Sequence, residues 1–409
     1  MTVPRVTRPY VTIACGGTGG HLFPGLAVAE ELVGRGCAAA LLISPKEVDQ
    51  QAVRTAKGVE VFTLPAVAFQ RGSRFAAVLG ACQSWRAARK LFQSRPPCAA
   101  LAMGGFTSLP PILAAKLAGA RTFLHESNTI PGRANRWLAR FVDQAFVGFP
   151  AAATRLRVRE ATVTGTPVRL QFQPRDPAAC RAALGFDPAQ PVVLVMGGSQ
   201  GASGINGLIL AALPLLTRRA PRWQWLHLTG PDDADKVKQA YAALGVKAAT
   251  HPFLGAMEVA LGAASAAVSR AGASSLAELA ALRVPALLVP FPHAADNHQF
   301  HNAVAVTETG AARLLEQKDA TPETVAGRLV ELIENAAARE TIKGALARWH
   351  SPKAAQQIAE TILRAVAQRG ELGARNERTV DRQTPMRPDE ATPDRSMPNR
   401  SSALQTPAA

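Results

Sequence analysis

Gly16-Gly17-Thr18-Gly19-Gly20-His21 directly follows a short aliphatic run, Tyr10 to Cys15, and precedes Pro24 and the helical pattern Leu26 to Val33. Glycines let such a turn bring backbone N–H groups close to an anion, and a helix start behind it adds partial positive charge. A phosphate-bearing ligand is what this arrangement can hold. The Gly-Lys-Ser/Thr ending of a Walker loop is missing, and the glycine spacing is not that of a dinucleotide fingerprint. Two further turns of the same kind close aliphatic runs: Gly197-Gly198-Ser199-Gln200-Gly201-Ala202 and Met103-Gly104-Gly105-Phe106-Thr107-Ser108. Any one of them could serve only a tight turn. Together they argue for one ligand bound across a cleft.

Ser269-Arg270-Ala271-Gly272-Ala273-Ser274-Ser275-Leu276-Ala277-Glu278 again passes from a strand through small residues into a helix. Glu278, about a turn into that helix, is placed to accept hydrogen bonds from ribose hydroxyls, though a carboxylate there also suits a helix start. Asp233-Ala234-Asp235 has the look of a metal-binding Asp-x-Asp, but it follows Pro231 at a helix start, where acidic residues are common. No metal is expected, and no cofactor.

Short β-branched or aliphatic runs alternating with helical patterns predict parallel α/β units. Tyr10 to Cys15, Ala39 to Ile43, Ala99 to Met103, Thr122 to Leu124 and Ala145 to Gly148 read as strands of one sheet. Val192 to Met196, Trp225 to Leu228, Ala266 to Ser269 and Ala286 to Val289 read as strands of a second. The turn-forming stretch Thr164 to Arg169, running on to Pro177, separates them. The reading is α/β, with two Rossmann-like domains facing a cleft: residues 1–168, then 169–369 including a final helix at about Pro352 to Gln368. Residues 370–409 carry few large apolar side chains and are expected to form a disordered tail.

A length of 409 residues with 47% hydrophobic residues supports two such units. Five cysteines without paired spacing suggest neither disulfides nor a thiolate metal site, which fits a reducing cytoplasm. No apolar run reaches the roughly 18 residues of a membrane-spanning helix. Ile13-Ala14-Cys15 has the look of a lipoprotein cleavage site, but Arg8 and Pro9 leave too short an apolar stretch before it. The formal charge of +16 is uneven: residues 1–170 hold 21 Lys/Arg against 8 Asp/Glu, and residues 171–369 hold 19 against 16. The first half therefore faces something anionic. Nucleic acid is disfavoured by an aromatic content of 5% and by the lack of a recognised binding module.

Phe75, Val78, Leu79 and Cys82 fall on one helical face that continues as Arg86, Arg89 and Lys90, in a segment without an acidic residue from Arg71 to Arg95. An apolar patch turning basic suits an anionic lipid surface. The apolar part could equally pack on the domain core.

The ordered motifs GGTGGHLFPGLA, MGGFTSLPP, HESN, GTPVR, MGGSQGASGIN, SRAGASSLAEL and VPFPHAADNHQFHNA, from about Val11 to Gln368, resemble the MurG family. Its members are UDP-N-acetylglucosamine:undecaprenyl-diphosphoryl-muramoylpentapeptide N-acetylglucosaminyltransferases with the glycosyltransferase B fold. The resemblance implies inverting transfer onto a muramoyl 4-hydroxyl at the cytoplasmic face of the plasma membrane by a peripheral enzyme. It implies that Thr18, Gly19 and Gly20 line the cleft, that Ser199 and Arg169 meet the donor diphosphate, and that Asn128 and Gln299 meet the sugar. It implies that Phe253 and Leu254 flank the uracil beside Ala273, Ser274, Ser275, Leu276 and Ala277, with Glu278 on the ribose. Two positions depart from common family forms: Leu109 stands where a glycine is frequent, which bears on acceptor fit, and His298 stands where glutamine occurs. The chemistry implied is displacement at the anomeric carbon. Arg169 and loop amides would stabilise the departing diphosphate, and His21 or Glu126 would take the hydroxyl proton. A UDP-N-acetylglucosamine 2-epimerase of the same fold is the nearest rival reading; a Rossmann dehydrogenase is disfavoured by the glycine spacing.

Overall fold

Runs that are apolar on both faces make buried parallel strands, and the chain carries two sets of them. The computed structural model describes residues 8–17, 19–46, 50, 58–65, 74–198 and 201–381, with backbone alone for 74–77 and 370–381. Strands β1 (Tyr10–Ala14), β2 (Ala38–Ile43), β3 (Glu60–Thr63), β4 (Ala99–Ala102), β5 (Arg121–Glu126), β6 (Gln144–Val147) and β7 (Ala161–Val163) form one parallel sheet in the order β3-β2-β1-β4-β5-β6-β7. Strands β8 (Val192–Met196), β9 (Gln224–Leu228), β10 (Ala248–His251), β11 (Ala266–Ser269), β12 (Ala286–Leu288) and β13 (Arg313–Leu314) form a second, ordered β10-β9-β8-β11-β12-β13. The order reverses at β1/β4 and at β8/β11. Each reversal is a switch point, where loops part and leave a crevice at the carboxyl ends of the strands.

The period-2 alternation of the strands builds a core on both faces of the first sheet. Val11, Ile13, Leu41, Leu101 and Phe123 face Leu22, Leu26 and Leu32 of the helix Gly19–Gly34. Ala14, Leu42, Ala102 and Leu124 face Ala88, Phe92 and Ile112. The final helix, Ala354–Asp381, corrects the sequence reading. Its Ile358, Ala359 and Ile362 enter the core of the first sheet, not the second, and its helical backbone continues past Gly370. The first helix also begins earlier than the pattern from Leu26 suggests, at Gly19. Pro24 stands inside it, past the first turn, and has no amide to donate to the carbonyl four residues back.

The chain therefore passes between the halves twice, and the passages touch. Gly165 (φ 79°) lies so close to Ser351 that a Cβ there would stand 2.2 Å from its Oγ. Phe149 and Trp349 meet beside them, tilted by 55° with ring centroids 5.3 Å apart. Only glycine meets both the left-handed backbone and the close approach at residue 165.

Candidate active site

The glycine-rich turns sit at the carboxyl ends of β1, β4 and β8, next to the two switch points, and the Ser269–Glu278 segment follows β11. Gly16 lies on the end of β2, where a Cβ would be 2.5 Å from the Ser44 amide nitrogen. The third turn holds the first: the Thr107 hydroxyl donates to the Gly16 carbonyl at 2.6 Å, and Ser108 donates to Ala14 at 2.9 Å. Gly19 and Gly20 open the helix, so His21 projects from its first turn. Its ring rests on the third turn, where a Cβ on Gly104 would come within 2.9 Å of Nε2. Thr18 and Ser199 lie outside the described residues.

Glu126, the other candidate base, is held by its surroundings. One carboxylate oxygen accepts from the Asn128 amide and from Asn128 Nδ2, at 2.9 and 3.1 Å. The other accepts from the Gly132 amide and from Asn135 Nδ2, both at 2.9 Å. A buried carboxylate holding four donors is an anchor for the turn between β5 and the helix Arg133–Leu138, with no oxygen left for a substrate proton. Neighbouring His125 is structural too. Burial holds it neutral, with its pKa lowered to about 4. Nε2 then donates to the Gly165 carbonyl and Nδ1 accepts from the Ser127 hydroxyl.

Arg169 leaves the first passage between the halves 6% exposed, its guanidinium 4.7 Å from the Phe23 ring and 5.2 Å from the Phe172 ring. Nε has no hydrogen-bond partner, and the side chain makes no ion pair among the described residues. A buried cation is costly unless an anion offsets it, and two nearby carboxyls, Glu278 and Glu30, feel this one. Burial pushes the Glu278 carboxyl up to about 7, the Arg169 charge pulls it down, and Glu258 adds to the rise. Glu30, on the helix Gly19–Gly34, is raised by burial and lowered by the same arginine.

Glu278 belongs to the helix Ala273–Leu282, in which Ala273 and Leu276 are buried while Ser274, Ser275 and Ala277 are partly exposed. Leu254 is partly buried against the second core, and Phe253 is 40% exposed beside it. Gln299 accepts from the Phe291 amide at 3.0 Å through Oε1, which leaves its NH2 to donate elsewhere. Asp233 accepts from Asn206 Nδ2 at 2.8 Å, a use for that carboxylate other than metal binding.

The glycosyltransferase family 28 N-terminal domain model matches residues 11–147, and the family 28 C-terminal domain model matches 192–360. The chain belongs to glycosyltransferase family 28. Among family relatives, it is 36% identical over 374 residues to the UDP-N-acetylglucosamine--N-acetylmuramyl-(pentapeptide) pyrophosphoryl-undecaprenol N-acetylglucosamine transferase of Anaeromyxobacter dehalogenans. That match covers 87% of this chain and 93% of that protein. The crystal structure of MurG from Acinetobacter baumannii superposes with a TM-score of 0.65 at 25% identity, covering 88% of this chain and all of that one. A putative UDP-N-acetylglucosamine 2-epimerase from Listeria monocytogenes reaches 0.64 at 12% identity, covering 86% and 95%, and so shares the fold alone.

The family 28 halves are joined by a residue that the motif reading passed over. Asn302 is fully buried on the helix His298–Thr307 of the second half. Its Oδ1 accepts from the Thr129 amide at 2.9 Å, and its Nδ2 donates to Asn128 Oδ1 at 3.0 Å and to the Ala271 carbonyl at 3.2 Å. The signal was present: Asn302 stands three residues after Gln299, on the same helix face. Arg270 was also missed as a functional side chain. Buried, it donates to the Val289 and Pro290 carbonyls and to Gln317, fixing the loop that leads to Gln299.

The helix Arg74–Ser94 settles one alternative left open by the sequence. Ala88 and Phe92 supply its core contacts, whereas Val78 is 63% and Leu79 52% exposed. Cys82, Arg86, Arg89 and Lys90 are exposed as well. Phe75 lies in this helix, and its side chain is outside the described residues. No helix among the described residues is long and apolar enough to cross a membrane.

Proposed function

We propose that the chain transfers N-acetylglucosamine from its UDP donor, with inversion, to the muramoyl 4-hydroxyl of undecaprenyl-diphosphoryl-muramoylpentapeptide. The observation that carries this reading is Arg169, a buried guanidinium with Nε unbonded and no ion pair among the described residues, in a chain whose glycine-rich turns follow strands at both switch points. The first half, to which the final helix adds its apolar face, takes the lipid-linked acceptor, and the second half takes the donor. Arg169 and the Ser199 turn stabilise the charge that builds on the diphosphate as it leaves. Thr18, Gly19 and Gly20 line the cleft, and Asn128 and Gln299 hold the sugar. Leu254 and the turn Ala273–Ala277 enclose the uracil. His21 takes the hydroxyl proton; Glu126 acts through the turn that carries Asn128. Inversion is tested by proton NMR of the product: an α-linked donor must yield a β-linked disaccharide, and an α linkage contradicts the reading.

Glu278 would hold the ribose as a carboxylate, and this gives the donor affinity a pH dependence. With its pKa near 7, the ionised fraction falls as pH drops, and donor binding weakens with it. Between pH 8 and pH 6 the dissociation constant for UDP is expected to rise about tenfold. Calorimetry checks this, with Glu278→Gln expected to bind weakly and with a flat profile.

The helix face of Phe75, Val78 and Leu79, with Val78 and Leu79 exposed, turning to Arg86, Arg89 and Lys90, would dock on anionic lipid at the cytoplasmic face of the plasma membrane. Reversing Arg86, Arg89 and Lys90 to Glu is expected to lower sedimentation with phosphatidylglycerol vesicles at least tenfold at 0.1 M salt. Unchanged sedimentation would end that assignment.

A further inference from the structure

The loop that brings Gln299 toward the cleft has an unusual backbone. Asp296 and Asn297 stand consecutively in the left-handed region, each with φ 51°. Asp and Asn enter that region more readily than other residues with a Cβ, but two in succession is a conformation that contacts must support. The surroundings here are in the other half of the molecule. The Asp296 carboxylate meets Arg133 through one oxygen at 3.2 Å and Arg136 through the other at 2.6 Å. Both arginines project from the helix Arg133–Leu138, whose start is fixed by the Glu126 carboxylate through the Gly132 amide and Asn135. One step further along the same contact, Asn302 reaches Asn128 and Thr129.

We propose that Asp296 is a positioning residue: with Arg133 and Arg136 it forms an ionic clasp that seats the loop 290–299 on the segment 126–136. The clasp thereby sets Gln299 and Asn128 at a fixed separation across the donor sugar. This rests on the placement of the donor sugar given above. The pair is largely solvent-exposed, with Arg133 73% and Arg136 44% exposed against 27% for Asp296, so it is weak, salt-sensitive and quick to exchange. The buried Asn302 bonds supply register, and the exposed ions supply a closing force that reaches farther than a hydrogen bond.

The test compares wild type, Asp296→Arg, the pair Arg133→Asp with Arg136→Asp, and the triple variant that carries all three changes. Two readouts are taken. Hydrogen exchange on the substrate-free protein follows segments 133–138 and 290–299, and does not depend on where the donor binds. Steady-state kinetics give donor KM and kcat at 0.05 and 0.5 M salt. The clasp predicts faster exchange in both segments for Asp296→Arg and for the double variant, a donor KM raised about tenfold with kcat changed less than threefold, and recovery of both readouts in the triple variant. It also predicts that the contribution of the clasp to the salt dependence of donor KM reverses sign in Asp296→Arg, where salt screens a repulsion in place of an attraction. Unchanged exchange overturns the clasp itself. Altered exchange with unchanged KM, or no recovery in the triple variant, overturns its role in positioning the donor residues.

Discussion

Arg169→Ala is expected to lower kcat/KM for UDP-N-acetylglucosamine by about 10²–10³-fold, the scale seen when one preorganised charge-stabilising group is removed. The expectation follows from what this guanidinium lacks. It is buried over Phe23 and Phe172 with Nε unbonded and no carboxylate in ion-pair contact, and the proposed role gives that charge to the diphosphate of the donor. Because the charge develops further as the diphosphate departs, kcat should fall as well as donor affinity. Arg169→Lys should recover only part of the loss, since an ammonium keeps the charge but neither the planar fork nor the stacking on two rings. Steady-state kinetics with a soluble acceptor analogue check both variants. A change in kcat/KM of less than threefold for Arg169→Ala would move the diphosphate elsewhere.

His21→Ala is expected to reduce kcat by about 10²–10⁴-fold while leaving UDP affinity within about threefold of wild type. The split separates a proton acceptor from a residue that shapes the turn. His21 rests on Gly104 and Gly105, both at positive φ, so removing its ring leaves space and does not force the backbone to move. Single-turnover transfer beside UDP calorimetry measures both quantities. A rate near wild type would exclude His21 as the base. Weak UDP binding with a normal rate at saturation would make it a residue of the binding loop.

The interior of the fold was legible in the sequence and its margins were not. Every expected strand is present within about two residues of its assigned ends, because central strands buried on both faces read as aliphatic runs. The strands β3, β7, β10 and β13 went unseen, and they are the four outer edges of the two sheets. Edge positions need no apolar run: Glu60 and Thr63 of β3 are exposed, and β10 is only partly buried along its length. The destination of the final helix was hidden for another reason. Its stripe of Ile358, Ala359 and Ile362 declares an apolar face but not which sheet receives it.

The same division runs through the candidate site. Glycine turns, His21, Arg169 and Glu278 are residue types whose chemistry is local and can be read at their positions. The hydrogen bonds of Glu126 could not be read ahead, because a carboxylate beside a cleft has the same one-letter signature whether it accepts a proton or four hydrogen bonds. Asn302 and Asp296 act by reaching residues about 160 to 175 positions away, and only the folded chain brings those partners together.

The most direct test of the account is transfer of radiolabelled N-acetylglucosamine from its UDP donor to a short-chain lipid-linked muramoylpentapeptide, run with and without the acceptor. The account predicts labelled disaccharide only when both substrates are present, released together with UDP in equal amount. Donor consumed without acceptor, or converted to an epimeric UDP-sugar, would contradict it and assign the shared fold to the epimerase chemistry instead.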